Sequence, residues 1–277
     1  TVPQPPYPFS SIAANVGSLK NEGIELALEY RLIDTKDLVL TLGGNVTLMR
    51  NEVLELSGSI GGVELNTDYV NWGYNSYLIK GRPVGTFYLL ENAGKDAVTN
   101  EEIVVDRLED GTIDQSDRSL DRYFAGSALP THTYAFTPSM KYKNFDFSMV
   151  WRGSGGNMIY NKINKDFSMY ENLGKSNLLQ SAKNLGLFTS KYSSDLWLEK
   201  GNYLRFENIS IGYTVEPEQL KYFKSIRFSF TANNLALFTP YTGLDPELNV
   251  SGGNGSGYDA GIYPRTRSVS LGLITTF

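Results

Sequence analysis

Acidic side chains with the spacing of calcium ligands lie in one stretch of the sequence, DRLEDGTIDQSD. Positions 1, 5, 7, 9 and 12 of an EF-hand-like loop would be Asp106, Asp110, Thr112, Asp114 and Asp117. Gly111 stands at the sharp turn, but position 3 is Leu108, which has no ligand atom, and position 12 is Asp rather than the longer Glu. The spacing predicts either a degenerate Ca²⁺ site or an acidic loop without metal.

Aromatic rings are gathered in a second stretch, NTDYVNWGYNSY, which supplies Tyr69, Trp72, Tyr74 and Tyr77. Aromatic rings beside amide side chains can stack on sugar rings or contact a partner protein. The same rings could also pack within a loop or lie in the aromatic girdle of a membrane protein. We interpret them as candidate substrate or partner contacts and keep the packing alternative open.

Side chains that could carry out bond chemistry are scarce in this chain. There is no Cys, which excludes thiol nucleophiles and disulfides. The single histidine, His132, cannot be paired from the sequence with a Ser or a carboxylate. The Gly-rich stretch LNVSGGNGSGYDAG lacks the strand-to-helix pattern of a phosphate-binding loop. We predict no enzyme, no catalytic residue and no cofactor beyond the Ca²⁺ ion considered above.

The overall composition is that of a folded, aromatic-rich protein of 277 residues, 41% of them hydrophobic and 13% aromatic. The net charge of −5 and the lack of a dense Lys/Arg cluster argue against a nucleic-acid partner. No apolar run has the length of a membrane helix. Membrane strands remain possible on this test, because each such strand is only about half apolar.

The elements that must position these residues are predicted to be strands, because apolar and polar residues alternate. GIELALEY and LVLTLGGNVTLM predict one hairpin, and HTYAFTPSMKYKNFDFSMVWRG predicts a second one that turns at YKNF. Three more strands are predicted at 202–215, 225–238 and 265–277. Many of these runs have ten or more residues, which suits a tilted membrane strand of roughly 9–11 residues better than a soluble strand of about 5–6.

The two faces of the predicted strands differ in a way that favours a barrel. Ile209, Ile211 and Tyr213 share one face, whereas Ser210 and Gly212 lie on the other, and small polar rows suit a lumen. Short connections near 143 and 216–224 contrast with long ones at about 92–130, 161–195 and 239–263, which is the asymmetry of outer-membrane barrels. We predict an all-β, antiparallel transmembrane β-barrel. A soluble β-sandwich stays open, because earlier strands carry charges on the polar face.

Several segments together resemble one known family. WLEKGNYLRFENISIGYTV, TANNLALFTPYTGLDPELN and GIYPRTRSVSLGLITTF resemble the closing segments of SusC/RagA-like TonB-dependent outer-membrane transporters of Bacteroidetes. Upstream, NEGIELALEY, GNVTLMRNEVLEL, GRPVGTFY and YKNFDFSMVWRGSGGNMIYN resemble that family in the same order. An ordered series of segments over most of the chain is more specific than one short motif.

This resemblance implies the C-terminal part of a large, plugged barrel in the outer membrane of a Gram-negative cell. Residues 1–20 would be a Pro-rich linker or strap, and residues 21–277 would be barrel strands with long extracellular loops. The C-terminus would lie on the periplasmic side, and Phe277 would act as the C-terminal insertion signal. The implied partners are a SusD-like surface lipoprotein, an oligosaccharide or peptide ligand, outer-membrane lipid, and TonB through an N-terminal region that this sequence does not contain.

Two other functions stay open from the residues alone: a self-contained small outer-membrane barrel, and a soluble surface β-sandwich that binds glycans. The topology between residues 54 and 128 is also open. With only one strand there, residues 54–81 would fall in the periplasm, where so long a connection is unexpected. We therefore expect an extra strand or an irregular segment in that region.

Overall fold

The computed structural model describes residues 17–60, 63–73, 75–117, 119–216, 222–248 and 257–277. Its strands in the first part of the chain are β1 (Ser18–Asp34), β2 (Leu38–Glu55), β3 (Ser57–Ile60), β4 (Val63–Asn66), β5 (Tyr69–Gly73), β6 (Ser76–Ile79), β7 (Thr86–Leu90), β8 (Asn92–Lys95), β9 (Glu102–Val104) and β10 (Arg122–Ser127). The second part contains β11 (His132–Tyr142), β12 (Phe145–Gly155), β13 (Met158–Asn161), β14 (Leu198–Lys200), β15 (Tyr203–Val215), β16 (Ser225–Phe238), β17 (Tyr258–Asp259) and β18 (Ser268–Thr276).

Helical structure is limited to short elements within the connections between strands. The described residues include two α-helices, α1 (Lys162–Phe167) and α2 (Ala182–Leu185), and 3-10 turns at Tyr170–Asn172 and Asp195–Trp197. Among the described residues, no helix is long and apolar enough to cross a membrane.

Seven long strands form one antiparallel sheet in the order β1-β2-β11-β12-β15-β16-β18, here called the wall sheet. The two predicted hairpins and the three predicted later strands are confirmed, with bounds that differ by a few residues. Strand β1 begins at Ser18, within the predicted linker at 1–20, of which residues 1–16 lie outside the described residues.

In the wall sheet, the pairing register aligns residues of the same type on neighbouring strands, so that they form rows across the sheet. One row joins exposed apolar residues of five neighbouring strands: Tyr142, Phe145, Tyr213, Phe228 and Leu273. The opposite face has a row of hydroxyl side chains across six strands: Thr41, Ser139, Ser148, Ser210, Thr231 and Ser270. Because side chains alternate between the two faces of a strand, the sequence pattern becomes one apolar and one polar surface.

The connections divide between the two ends of the wall sheet. Those at one end are short: residues 35–37, 143–144 and 216–224. At the other end lie the first connection (56–131), the second (156–202) and the third (239–267). We refer to the described residues of these three as the loop assembly.

The topology of residues 54–128 was left open by the sequence, and the structure describes it except at residues 61, 62, 74 and 118. Strand β2 pairs directly with β11, so both ends of the first connection lie at the same end of the wall sheet. Strands β5, β6, β7 and β10 form a separate four-stranded sheet and have only four to six residues each, which is too short to continue the wall. Residues 54–81 are thus not placed at the end with short turns, and the described part of the first connection adds no strand to the wall sheet.

The hydrophobic core of the described chain lies in the loop assembly rather than behind the wall sheet. It consists of seven residues from the first and second connections: Phe87, Leu89, Ala128, Tyr160, Met169, Leu187 and Trp197. Strand β13 pairs with both β14 and β17, which links the second connection to the third. The loop assembly therefore packs like a small globular protein at one end of the wall sheet.

Candidate functional site

The predicted aromatic stretch forms a stacked group on the hairpin β5–β6. Tyr69 and Tyr77 stack with ring centroids 5.2 Å apart, and Tyr88 of β7 meets Tyr77 edge-on at 6.4 Å. The tight turn before β6 is possible because Asn75 adopts a positive φ of 65°, which Asn tolerates better than most residues. Trp72 is half-buried in β5, and Tyr74 lies outside the described residues.

The carboxylate of Asp117 connects this aromatic group with the acidic stretch. It accepts hydrogen bonds from the Tyr77 hydroxyl at 2.8 Å and from Nδ2 of Asn71 at 3.1 Å. The hydrogen bond from Tyr77 is the main reason why the pKa of Asp117 is lowered. Burial, together with the bond to Asp117, raises the pKa of Tyr77, so this pair remains a neutral donor and a charged acceptor. Two stretches singled out separately in the sequence thus meet in space.

An open cleft of about 770 Å³ adjoins the aromatic group. Its walls combine rings and charges, including Tyr69, Tyr88, Phe124, Arg82, Asp68 and Asp117. The Arg82 guanidinium carbon lies 4.7 Å from the ring centroid of Phe124, in a cation–π arrangement. Trp72 is not among the lining residues. A cleft with aromatic faces and polar groups of both signs can bind a sugar ring or a peptide side chain.

The acidic stretch folds around a carboxylate that sequence analysis did not single out. Asp121 is 1% exposed and accepts hydrogen bonds from the backbone N–H of Arg107 at 3.0 Å and of Asp114 at 2.9 Å. Arg122 holds the same stretch through the carbonyl oxygens of Ser116 and Gln115. The loop conformation is therefore set by its neighbours 121 and 122.

The predicted calcium ligands mostly accept hydrogen bonds within the stretch itself. Asp106 accepts from the N–H of Gly111, Asp110 from Thr112, and Asp114 from Ser116. Oδ1 of Asp106 is buried without a hydrogen-bond partner, and a carboxylate oxygen of this kind could act as a cation ligand. Across the described ranges, no three acidic or histidine side chains are close enough together to hold a metal ion. The Ca²⁺ site stays a prediction.

A second polar cluster lies where the third connection meets the wall sheet. Arg152 and Arg205 are directly opposite each other on β12 and β15, an arrangement of like charges that would be destabilising by itself. Glu247 reaches between them, with Oε2 2.8 Å from Nη2 of Arg152 and 3.0 Å from Nε of Arg205. The second of these contacts lacks hydrogen-bond geometry, so it is an ion pair only. Glu247 thus bridges the two arginines and offsets one of their two positive charges.

Further groups complete this ion-pair network. Arg205, 1% exposed, contacts Asp245 at 2.6 Å, and Arg152 contacts Glu207 at 2.7 Å. Burial alone would raise the pKa of Glu247, but hydrogen bonds from Arg152 and Tyr203 hold it below its ordinary value. Sequence analysis missed the network because its acids and its arginines are far apart along the chain. No simple signal was available in the sequence, because Arg205 has the same alternation as the apolar Ile209 and Ile211. Only the irregularity between Phe206 and Asn208 places it on the face of Arg152.

The remaining residues singled out in the sequence lie apart from these clusters. His132 begins β11 at the end of the wall sheet that carries the long connections, with Nδ1 3.1 Å from the Thr131 hydroxyl. Phe277 follows β18, is 70% exposed, and packs on Phe223 with ring centroids 5.0 Å apart. Its role as an insertion signal is untested and stays a prediction.

The outward apolar face, the polar face opposite and the long connections at one end define the chain as part of an antiparallel barrel wall. No family model matches the sequence. The TonB-dependent receptor SusC of Bacteroides thetaiotaomicron is 32% identical over 286 residues, which cover 97% of this chain and 27% of that protein. The TonB-dependent receptor P26 of Formosa agariphila is 26% identical and is covered to 30% of its length.

Solved structures agree with this assignment of the fold. The RagAB peptide transporter superposes with a TM-score of 0.71 at 21% identity, over 95% of this chain and 30% of the other. The RagAB peptide importer in its closed-closed state gives a TM-score of 0.73 at 23% identity. The chain is SusC/RagA-like, and its fold is that of part of a TonB-dependent transporter barrel. It spans less than a third of the length of these relatives.

Proposed function

We propose that this chain forms part of the wall and the extracellular loops of a TonB-dependent outer-membrane importer of oligosaccharides or oligopeptides. The observation that carries the proposal is the register of the wall sheet, which builds a continuous exposed apolar surface from Tyr142 to Leu273. Such a surface is stable against lipid, while the hydroxyl rows opposite suit a lumen. The names of the relatives, which are receptors and transporters, support transport rather than bond chemistry.

In this proposal the short turns and the C-terminus face the periplasm, and the loop assembly faces the outside. A SusD-like lipoprotein would cover the loop assembly, and TonB would act through another region of the importer. The cleft beside Tyr69 and Tyr77 would contact the ligand or that lipoprotein. Its mixture of rings, Arg82 and Asp117 supports a contact role, because all of these groups line one open space.

Labelling of single cysteines in intact cells tests this arrangement, since the chain contains no Cys. Val98→Cys places a thiol on the first connection at a site that is 88% exposed, and Lys36→Cys places the matched thiol in a short turn. In the complete importer, we expect a membrane-impermeant maleimide to label position 98 on intact cells and position 36 only after cell disruption. Labelling in the reverse order, or extraction as a monodisperse protein without detergent, would contradict the proposal.

A further inference from the structure

A cavity of about 360 Å³ lies where all three connections meet the polar face of the wall sheet. Residues of each connection line it, together with Ser154 from the hydroxyl face of β12. Its volume is within the range of about 300–1,000 Å³ of small-ligand sites. In the proposed importer the polar face lines the lumen, so this cavity lies at the extracellular mouth, where an imported ligand enters.

The side chain of Asn157 in the cavity wall is buried without a hydrogen bond. Asn157 is 9% exposed, and its carboxamide oxygen has no hydrogen-bond partner among the described residues. The close approach of Gly201 holds it in place, because a Cβ atom at position 201 would lie 2.3 Å from Nδ2 of Asn157. The N–H of Gly201 also donates to the carbonyl oxygen of Asn157 at 2.9 Å. Burial of an unpaired polar group costs free energy, so this carboxamide indicates a binding partner from outside the chain.

Two more polar groups of the lining are not used within the described part of the chain. The carboxylate oxygen nearest to the Arg265 guanidinium is 3.6 Å from Nε, which is too far for a hydrogen bond. The hydroxyl of Ser154 makes no hydrogen bond with a described residue. In contrast, the carboxylate of Glu247 in the same lining already accepts hydrogen bonds from Arg152 and Tyr203. The groups available to a ligand are therefore a carboxamide, a hydroxyl and a guanidinium.

The charges beside the cavity cancel. The ion-pair network joins three arginines with three carboxylates, namely Arg152, Arg205 and Arg265 with Glu207, Asp245 and Glu247. The cavity lining itself includes one member of each sign, Arg265 and Glu247. A charged ligand would lose its hydration here without gaining an unpaired counter-charge. The site thus favours a neutral ligand that forms hydrogen bonds.

The number of unpaired groups around one small space selects between the two ligand classes of the proposed importer. Asn157, Ser154 and Arg265 come from three different elements and line the same cavity. A peptide residue offers only one N–H and one C=O of its backbone. A sugar ring has hydroxyls on most of its carbon atoms, and each hydroxyl both donates and accepts. A sugar ring can therefore pair with more of these groups, while Leu129 and Ile159 contact its C–H groups.

We propose that this cavity binds one unit of a neutral oligosaccharide, whose hydroxyls pair with the Asn157 carboxamide, the Ser154 hydroxyl and the Arg265 guanidinium. The proposal rests on the importer function above and selects oligosaccharides from its two ligand classes. The site is separate from the aromatic cleft, with which it shares no described lining residue.

Fluorescence polarisation on the purified complete importer in detergent tests this site. The probes are four end-labelled neutral hexasaccharides, built from glucose, mannose, galactose or xylose. A galacturonic acid hexasaccharide and a nonapeptide of glycine and serine, blocked at both ends, are the comparisons. Asn157→Leu removes the unpaired carboxamide at similar volume, and Ser154→Ala removes the hydroxyl. Asn184→Leu is the matched control, because Asn184 is exposed on α2 of the same second connection and is not in the described lining.

We expect at least one neutral hexasaccharide to bind, Asn157→Leu to weaken it about tenfold and Ser154→Ala about threefold, with Asn184→Leu unchanged. The galacturonic acid probe should bind at least tenfold more weakly than the best neutral one. Amide exchange of residues 156–202 should be no faster in Asn157→Leu than in the unchanged protein, because the substitution removes a buried polar group that has no partner.

Several results would overturn the proposal. These are no binding of any neutral hexasaccharide, equal effects of Asn157→Leu and Asn184→Leu on binding, or binding of the peptide that depends on Asn157. Faster amide exchange in Asn157→Leu would show that the carboxamide stabilises the fold, which contradicts its assignment to a ligand. Cysteine labelling in the expected order together with any of these results would remove the sugar site alone and leave the importer function standing.

Discussion

The wall sheet exposes large apolar side chains, whereas the loop assembly buries side chains of the same kind in its core. Leu271 in the wall sheet is 84% exposed, whereas Phe87 and Leu89 in the loop assembly are fully buried. Exposed apolar side chains also occur in the loop assembly, such as Val98 at 88% and Leu173 at 67%, whereas those of the wall sheet form a continuous row across five strands. The continuous row, rather than any single exposed leucine, is the feature that suits contact with lipid.

The loop assembly and the wall sheet also differ in their content of charged residues. The first connection contains 12 Asp or Glu and six Lys or Arg residues, so its net charge of −6 exceeds the −5 of the entire chain. Strands β16 and β18 in the wall sheet contain only one charged residue, Arg227, which pairs with Asp146 on β12. Charge is thus nearly absent at this edge of the wall sheet, whereas β1 at the opposite edge carries exposed charges such as Glu25 and Glu29.

The largest expected effect comes from emptying the core of the loop assembly. Trp197→Ala removes a side chain that is 1% exposed and should destabilise the loop assembly by about 3–5 kcal/mol. Leu28→Ala on the wall sheet, 68% exposed, is the matched change and should have little effect in detergent. Hydrogen exchange of backbone amides in residues 156–202 measures both. Equal exchange in the two variants would mean that the loop assembly has no cooperative core.

Breaking the junction between the two regions should have an effect of similar size. Arg205→Ala leaves Asp245 buried without its cation, a loss of about 3–5 kcal/mol for a buried pair. The expected result is faster amide exchange in residues 241–248, with slow exchange retained in β15. Arg31→Ala is the control, because the ion pair of Arg31 with Asp34 is exposed and such pairs contribute little to stability.

A charge placed on either face of the wall sheet tests which face meets lipid. Leu271→Arg on the apolar face should cost about 2–4 kcal/mol if it lies near the bilayer midplane, whereas Ser270→Arg on the hydroxyl face should cost much less. Folding yield of the complete importer into lipid vesicles, followed by urea titration, measures the difference. A larger loss for Ser270→Arg would assign the hydroxyl face to lipid and reverse the orientation of the wall.

The strands of the wall sheet could be predicted from the sequence, whereas the structure of the loop assembly could not, and the difference has a physical reason. Alternation along β12 and β15 is a local property, so hairpins and faces could be predicted residue by residue. The strands of the first connection have only three to six residues, which is too short for alternation to identify them, although most pair with the next strand in sequence. Counting one of them as a wall strand gave residues 54–81 an unexpected position, which is why the sequence left the topology of residues 54–128 open.

The candidate sites divide in the same way. The aromatic and acidic stretches were recognisable because each is continuous in sequence. The contact between them, through the hydrogen bonds to Asp117, could not be predicted. Glu247 and Arg152 are 95 residues apart in sequence but form a hydrogen-bonded ion pair. Such sites depend on tertiary packing, and a single sequence gives no local signal for them.

A smaller, pH-dependent effect is expected in the acidic stretch. The N–H groups of Asp114 and Arg107 lower the pKa of Asp121 below its ordinary value of about 3.9. The stabilisation is therefore complete above about pH 3.9 and is lost as the pH falls through the lower folded-state pKa. We expect amide exchange of residues 107–114, corrected for intrinsic rates, to accelerate between pH 5 and pH 2.5. Asp121→Asn should exchange fast at both pH values, and equal pH dependence in both proteins would exclude Asp121 as the cause.

The weakest effect concerns Ca²⁺, for which Asp110 would have to give up the hydrogen bonds that it accepts from the N–H and the hydroxyl of Thr112. Because those bonds must be replaced and position 108 supplies no ligand, we expect binding in the weak class, with Kd of about 10⁻⁴–10⁻³ M. Calorimetric titration of the complete importer with CaCl₂ measures it, with MgCl₂ as the competing ion. Asp110→Asn should abolish the heat, and Asp96→Asn, a carboxylate that caps its own loop outside the stretch, should not. If Asp110→Asn gave the same heat as the unchanged protein, Asp110 would not be a Ca²⁺ ligand, and the stretch would be an acidic loop ordered by Asp121 rather than by a metal.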